Sequence, residues 1–147
     1  REGSPVAAVD VADIVAGLYS HLTGDSDFNT AIGGSGSTAG RLRFRLANKS
    51  ETYPYCVFHV ISLVGEDNMT TDGYFIRFQF DIWESEEAGP RACMDVADDL
   101  RARMTRATYT ITNHEQTQIR LDTATPPALE GTAWVSRCDY VAQGLRS

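Results

Sequence analysis

Over residues 74–83 the chain alternates without a break, and that alternation limits what everything else can fold into. Tyr74, Ile76, Phe78, Phe80 and Ile82 fall on one face of an extended strand. Arg77, Gln79 and Asp81 fall on the other, with Phe75 and Trp83 closing the ends. A period of two over this length requires a strand with one face in a core. After Trp83 the period lengthens. Cys93, Val96, Ala97, Leu100 and Met104 recur at helical spacing, opposite Asp95, Asp98, Asp99, Arg101 and Arg103. The spacing predicts a helix over residues 86–106, acidic near its start and basic near its end as the helix dipole favours. Pro90 fits only a first turn, so a start nearer Gly89 is also compatible. A strand feeding a helix that folds back onto the same sheet is the predicted centre of the fold.

The flanking segments read as additions to this unit. Ser4-Pro5 suits a helix start, Val11, Ile14, Val15, Leu18 and Leu22 form a helical stripe, and Gly24 is a natural stop. Residues 25–40 lose any period, and GGSGSTAG predicts a flexible loop, either a mobile surface or a segment that orders against a partner. In 41–47, Leu42, Phe44 and Leu46 are expected to face inward and Arg41, Arg43 and Arg45 outward. Such an arginine row suits pairing within the chain or between subunits better than DNA in a chain this acidic. Pro54 introduces a strand over 55–64 with two apolar faces, Val57, Ile61 and Leu63 on one and Cys56, Phe58, Val60 and Val64 on the other. That pattern predicts a central strand covered on both sides, with His59 as a satisfied core histidine. Asp72-Gly73 marks the turn into the strand at 74–84. Residues 117–123 alternate again with Ile119 and Leu121 inward. Pro126-Pro127 and Glu130-Gly131 then predict a turn before a last strand. The expected fold is one α+β domain over 1–147, a mostly antiparallel four- to five-stranded sheet with two helices packed on one face.

A chain of 147 residues has length for one sizeable core. Its net charge of −7 argues against gripping nucleic acid through phosphate neutralisation. No apolar run approaches the roughly 20 residues a membrane-spanning helix needs. The absence of an initiator methionine suggests that residues precede Arg1, and no basic-then-apolar leader marks the chain for export. Cys56, Cys93 and Cys138 lie far apart, odd in number and outside any zinc-like spacing, and are expected as reduced, mostly buried thiols. Nucleotide, hydrolase and metalloprotease motifs are absent. The acidic groups Glu84, Glu86 and Glu87, and Asp95, Asp98 and Asp99, could hold a hard cation. On a helix face they more often make a wet surface. No catalytic, cofactor or metal residue is therefore nominated.

The strand opened by Pro54-Tyr55 (YCVFHVI), the strand FIRFQFDIW ending in an aromatic and acidic corner, the helix CMDVADDLRARM and a closing apolar strand come in a telling order. With the N-terminal helix before it, this order resembles the tail-terminator or tail-completion proteins of long-tailed bacteriophages and gene-transfer-agent-like particles. The resemblance runs over roughly residues 9–145 and is most specific over 53–104. It implies a virion protein of the tail or neck, assembled in the host cytoplasm, that works by shape rather than by catalysis. It implies a ring, typically of six copies, with the tail tube protein on one side and the head-side connector or stopper on the other. DNA would pass through without specific binding, which an acidic subunit favours. Another neck or head-completion protein, a stopper or adaptor, is the alternative, and a small metal-dependent enzyme a more distant one. Loops are expected to carry the contacts. The candidate partner residues are Phe28, Arg41, Arg43, Arg45, Asp67, Asn68, Met69, Pro126, Pro127 and Leu129.

Overall fold

The structure, a computed structural model, describes residues 11–24, 26–36, 38–48, 50–67, 72–105, 111, 114–116 and 119–146. The expected cap at Ser4 lies outside these residues. The elements run α1 (Val11–Leu22), α2 (Asp27–Ala31), β1 (Leu42–Phe44), β2 (Tyr55–Asp67), β3 (Asp72–Ser85), α3 (Gly89–Met104), β4 (His114–Gln116), β5 (Arg120–Glu130) and β6 (Ala133–Arg146). The strands form a single sheet in the order β1-β2-β3-β6, with β4 and β5 sharing the position beyond β6. Every pairing is antiparallel except β1 with β2. The architecture is the α+β, mostly antiparallel sheet that the periodicity predicts.

The alternation of β3 sets the core. Tyr74, Ile76, Phe78, Phe80 and Ile82 are all fully buried, as the period of two requires. Phe80 stacks on Phe58 of β2 at 5.7 Å and meets the edge of Tyr140 of β6, also at 5.7 Å. Over this face lies α3, whose Cys93, Val96, Ala97, Leu100 and Met104 are buried as the helical spacing requires. It begins at Gly89 with Pro90 in its first turn and no acid there, so Glu86 and Glu87 precede the helix. Helix α1 contributes Ile14, Leu18 and Leu22 to the same core. A reciprocal clasp joins the ends of α1 and α3. His21 Nε2 lies 2.9 Å from the Arg103 carbonyl, and Arg103 Nε and Nη2 donate to the His21 carbonyl at 3.0 and 2.8 Å. An arginine at the C-terminal carbonyls of α1 also complements its dipole.

Several expectations need correction. Leu42 is buried, but Phe44 is half-exposed and Leu46 is 80% exposed, because β1 ends at Phe44. There Arg45 takes a positive φ of 73° and its N–H donates to the Phe58 carbonyl, which turns the chain off β2. Strand β2 is not covered on both sides. An irregularity between Val60 and Ser62 reverses its phase, so Leu63 packs toward the core while Ile61 and Val64 face solvent. His59 is not a core residue; its side chain is 30% exposed and lies 3.8 Å from Asp81. Pro126-Pro127 is no turn but an irregularity inside β5 between Thr125 and Ala128, and the turn comes at Gly131-Thr132. A strand beside only one neighbour tolerates such prolines, since their missing N–H groups cost no ladder bond.

The 25–40 segment also differs from the flexible loop expected. Its described residues hold a short helix, α2, capped by Ser26 Oγ, which accepts from the Asn29 N–H at 3.1 Å. Asn29 is buried and acts as a hub. Its Nδ2 donates to the Thr38 carbonyl at 3.0 Å, and its Oδ1 accepts from the Gly40 N–H at 2.7 Å. Gly34 and Gly40 supply close approach rather than freedom. A Cβ on Gly34 would stand 2.3 Å from Asn29 Nδ2, and one on Gly40 2.7 Å from Ile32 Cγ1.

Candidate functional site

The three nominated arginines have three different fates. Arg41 is half-buried and donates to the carbonyls of Thr52, Tyr53 and Pro54 at 2.9, 3.3 and 3.1 Å, tying the entry of β2 to β1. Arg43 meets Glu51 through Nε and Nη2 at 2.7 and 3.2 Å. This pairing holds the Glu51 carboxyl below its ordinary range. Arg45 is exposed and makes no ion pair with any described residue. Two of the three are spent inside the chain.

Because β1 stops at Phe44, the outer edge of β2 beyond Phe58 has no strand beside it among the described residues. Val11, Phe44, Arg45, His59, Val60 and Ile61 surround a notch of about 460 Å³ in the place a longer β1 would fill. Val11, Phe44, Leu46, Tyr53, Ile61 and Val64 are all at least a third exposed around it or beside it. From His59 to Gly65 the strand carries no Lys, Arg, Asp, Glu or Pro. An edge this apolar is what isolated sheets normally guard against.

At the other end of the sheet, α3 and β5 enclose a second concavity of about 250 Å³. Met94, Ala97, Ala124, Pro126 and Pro127 give it apolar walls, and Asp98 and Arg101 line it as well. Met94 and Leu129 are the large apolar side chains exposed on this side, at 44% and 46%. The register of β5 on β6 is interrupted at the same two prolines. Between these ends, the face of the sheet opposite the core is closed by polar pairs. Arg137 meets Asp81 at 2.8 Å, Arg77 meets Asp122, and Tyr53, Tyr55 and Trp83 stack in a row.

The remaining nominated residues scatter. Phe28 is fully buried under α3 and offers no surface to a partner. Asp67 ends β2 in register with Asp72, while Asn68 and Met69 lie outside the described residues. Pro126 and Pro127 line the α3–β5 concavity, with Leu129 exposed two residues on. Sequence reasoning missed Leu46, Ile61, Val64 and Met94: alternation turned Leu46 inward, and a strand read as covered on both sides buried Ile61 and Val64. Among the described residues no group of three His, Cys, Asp or Glu side chains is placed to hold a metal ion. All three cysteines are free and buried, and burial raises the Cys93 thiol to about 11.

The model of the family described as Tail completion protein gp17 matches residues 16–131. No curated protein sequence matches the chain. Among solved structures, a chain from the virion of a native gene transfer agent particle superposes with a TM-score of 0.78 at 11% identity. The match covers 95% of this chain and 99% of that one. A second solved chain gives a TM-score of 0.66 at 13% identity, over 95% of this chain and 98% of its own. At these identities the superpositions speak for the fold.

Proposed function

The chain belongs to the Tail completion protein gp17 family, structural proteins of the virion tail, and on that premise we propose that it is a ring-forming tail terminator. Copies of the subunit close a ring, of six in the form the sequence resemblance implies, on the end of the tail tube. The ring stops tube growth, presents its far side to the head-side connector and leaves a channel for DNA. The observation that carries this reading is the family match over residues 16–131. Two features of the molecule support it physically. A net charge of −7 per subunit, repeated around a channel, repels phosphate and keeps DNA from sticking. Exposed apolar side chains gathered at both ends of the sheet suit a subunit that is finished by its neighbours. Weak contacts repeated around a ring gain strength together.

The test is to purify the chain and measure its native mass alone and with isolated tail tubes, then image the tubes. A closed ring seated on tube ends is expected, and tubes grown without the chain are expected to overrun their normal length. A chain that binds only the head-side connector and leaves tube ends bare is a stopper or adaptor instead. A chain that stays monomeric in both settings defeats the ring.

A further inference from the structure

We infer that successive copies meet head to tail, the apolar β1–β2 edge of one subunit seated over the α3–β5 groove of the next. This rests on the ring reading above and names the surfaces that build it.

The argument starts from where water still touches large apolar side chains. Among the described residues Val11, Phe44, Leu46, Tyr53, Ile61 and Val64 lie along the β1–β2 end of the sheet, and Met94 and Leu129 lie beside the α3–β5 groove. The strand order puts these two groups at opposite ends of one sheet. A two-fold contact, edge on edge or groove on groove, covers one group and leaves the other in water. A head-to-tail contact covers both and, repeated, gives a ring or a filament.

Shape and charge identify the occupant as a second copy of this chain. The edge projects: after Phe44 the positive φ of Arg45 throws Leu46 outward, where it is 80% exposed. The groove recedes, about 250 Å³ between Met94 and Ala97 on the helix and Pro126 and Pro127 on the strand. Beside Leu46 stands the exposed Arg45, which makes no ion pair with a described residue of its own chain. Beside the groove stands Asp98, whose side chain is 63% exposed and held only by an i,i+3 contact to Arg101. Glu130 is exposed at the end of β5. A lone cation next to the projecting apolar residues and carboxylates next to the receiving ones fix the orientation of the contact.

The three native thiols are buried, so a short thiol-bridging reagent acts only at introduced cysteines. The combination Leu46→Cys with Met94→Cys is expected to give a cross-linked ladder rising to the full ring, while either substitution alone gives none. Leu46→Asp, at a site open to water, is expected to keep the circular dichroism of the parent and to move assembly to higher protein concentration. Arg45→Glu is expected to move it in the same direction, with the difference shrinking in high salt. A cross-linked dimer from Leu46→Cys alone means edge-on-edge pairing and overturns the inference, as does unchanged assembly of Leu46→Asp. If the double variant gives no product, native mass of the parent chain separates the two failures. A parent that still assembles overturns this contact and leaves the ring standing; a parent that is monomeric alone and on tail tubes removes both.

Discussion

Strand β3 and the segment around α2 are both tightly packed, by different means. In β3 the packing is apolar and repetitive: five side chains at every second position are fully buried against β2, β6 and α3. Around α2 two buried apolar side chains, Phe28 and Ile32, are joined by a polar tie. One amide, Asn29, ties Thr38 and Gly40 to the helix, and glycines let the backbone come within reach of it. The first arrangement spreads its stability over many contacts and is written as a period. The second adds the two side-chain hydrogen bonds of Asn29 to a pair of buried apolar residues and is written in residues that elsewhere signal looseness. A glycine-rich run is therefore no measure of mobility until its neighbours are known.

Four substitutions probe this contrast, in decreasing order of expected effect. Phe80→Ala removes a ring that contacts both Phe58 and Tyr140. It is expected to cost about 3–5 kcal/mol in urea unfolding, as large-to-small changes in cores do. Asn29→Leu keeps the bulk of the hub but orphans the Gly40 N–H, while the Thr38 carbonyl keeps the Ser35 N–H. A loss of about 1–3 kcal/mol for the orphaned group is expected, and hydrogen exchange should rise at Gly40 while β3 stays protected. Exchange rising equally in both regions would show that the two are one cooperative unit. Arg137→Ala, on the polar face of the sheet, removes a half-exposed partner of Asp81. It should cost about 1 kcal/mol or less, and less still at high salt.

The last probe is a change of slope. Burial holds the His21 imidazole below its ordinary 6.5, against the opposing pull of its bond to the Arg103 carbonyl. The unfolded chain therefore binds the proton more readily than the folded one. The contribution of His21 is fully present above pH 6.5 and is lost as pH falls from there toward the folded value. Unfolding midpoints measured across that window should fall with pH in the parent and flatten in His21→Gln.

The legible parts of the fold were those where burial repeats. The face of β3, the stripe of α3 and the buried side of α1 follow from spacing alone. What escaped is local. Helix α2 and strand β4 are too short to show a period. One extra residue near Ile61 reverses the phase of β2, and one positive φ at Arg45 ends β1 before Leu46 can turn inward. Neither event leaves a mark in residue type, since isoleucine and arginine are ordinary strand residues. The candidate surfaces suffered for the same reason. Phe28 was placed on a loop because α2 was not seen, Leu46 in the core because alternation was extended too far, and Ile61 because β2 was read as covered on both sides. Arg45, Pro126, Pro127 and Leu129 do lie at the ends of the sheet, where the exposed apolar residues gather.

Among the described strands, the one at the middle of the sheet is synthesised after all the others. Strand β6 runs the whole length of β3 on one side and carries β4 and β5 on the other, yet it occupies residues 133–146. On the ribosome, the β2–β3 hairpin can zip as it emerges, but its inner margin stays bare until those residues leave the exit tunnel. A nascent chain halted before β6 presents Phe78 and Phe80 beside an open backbone margin, and is a natural client for chaperones.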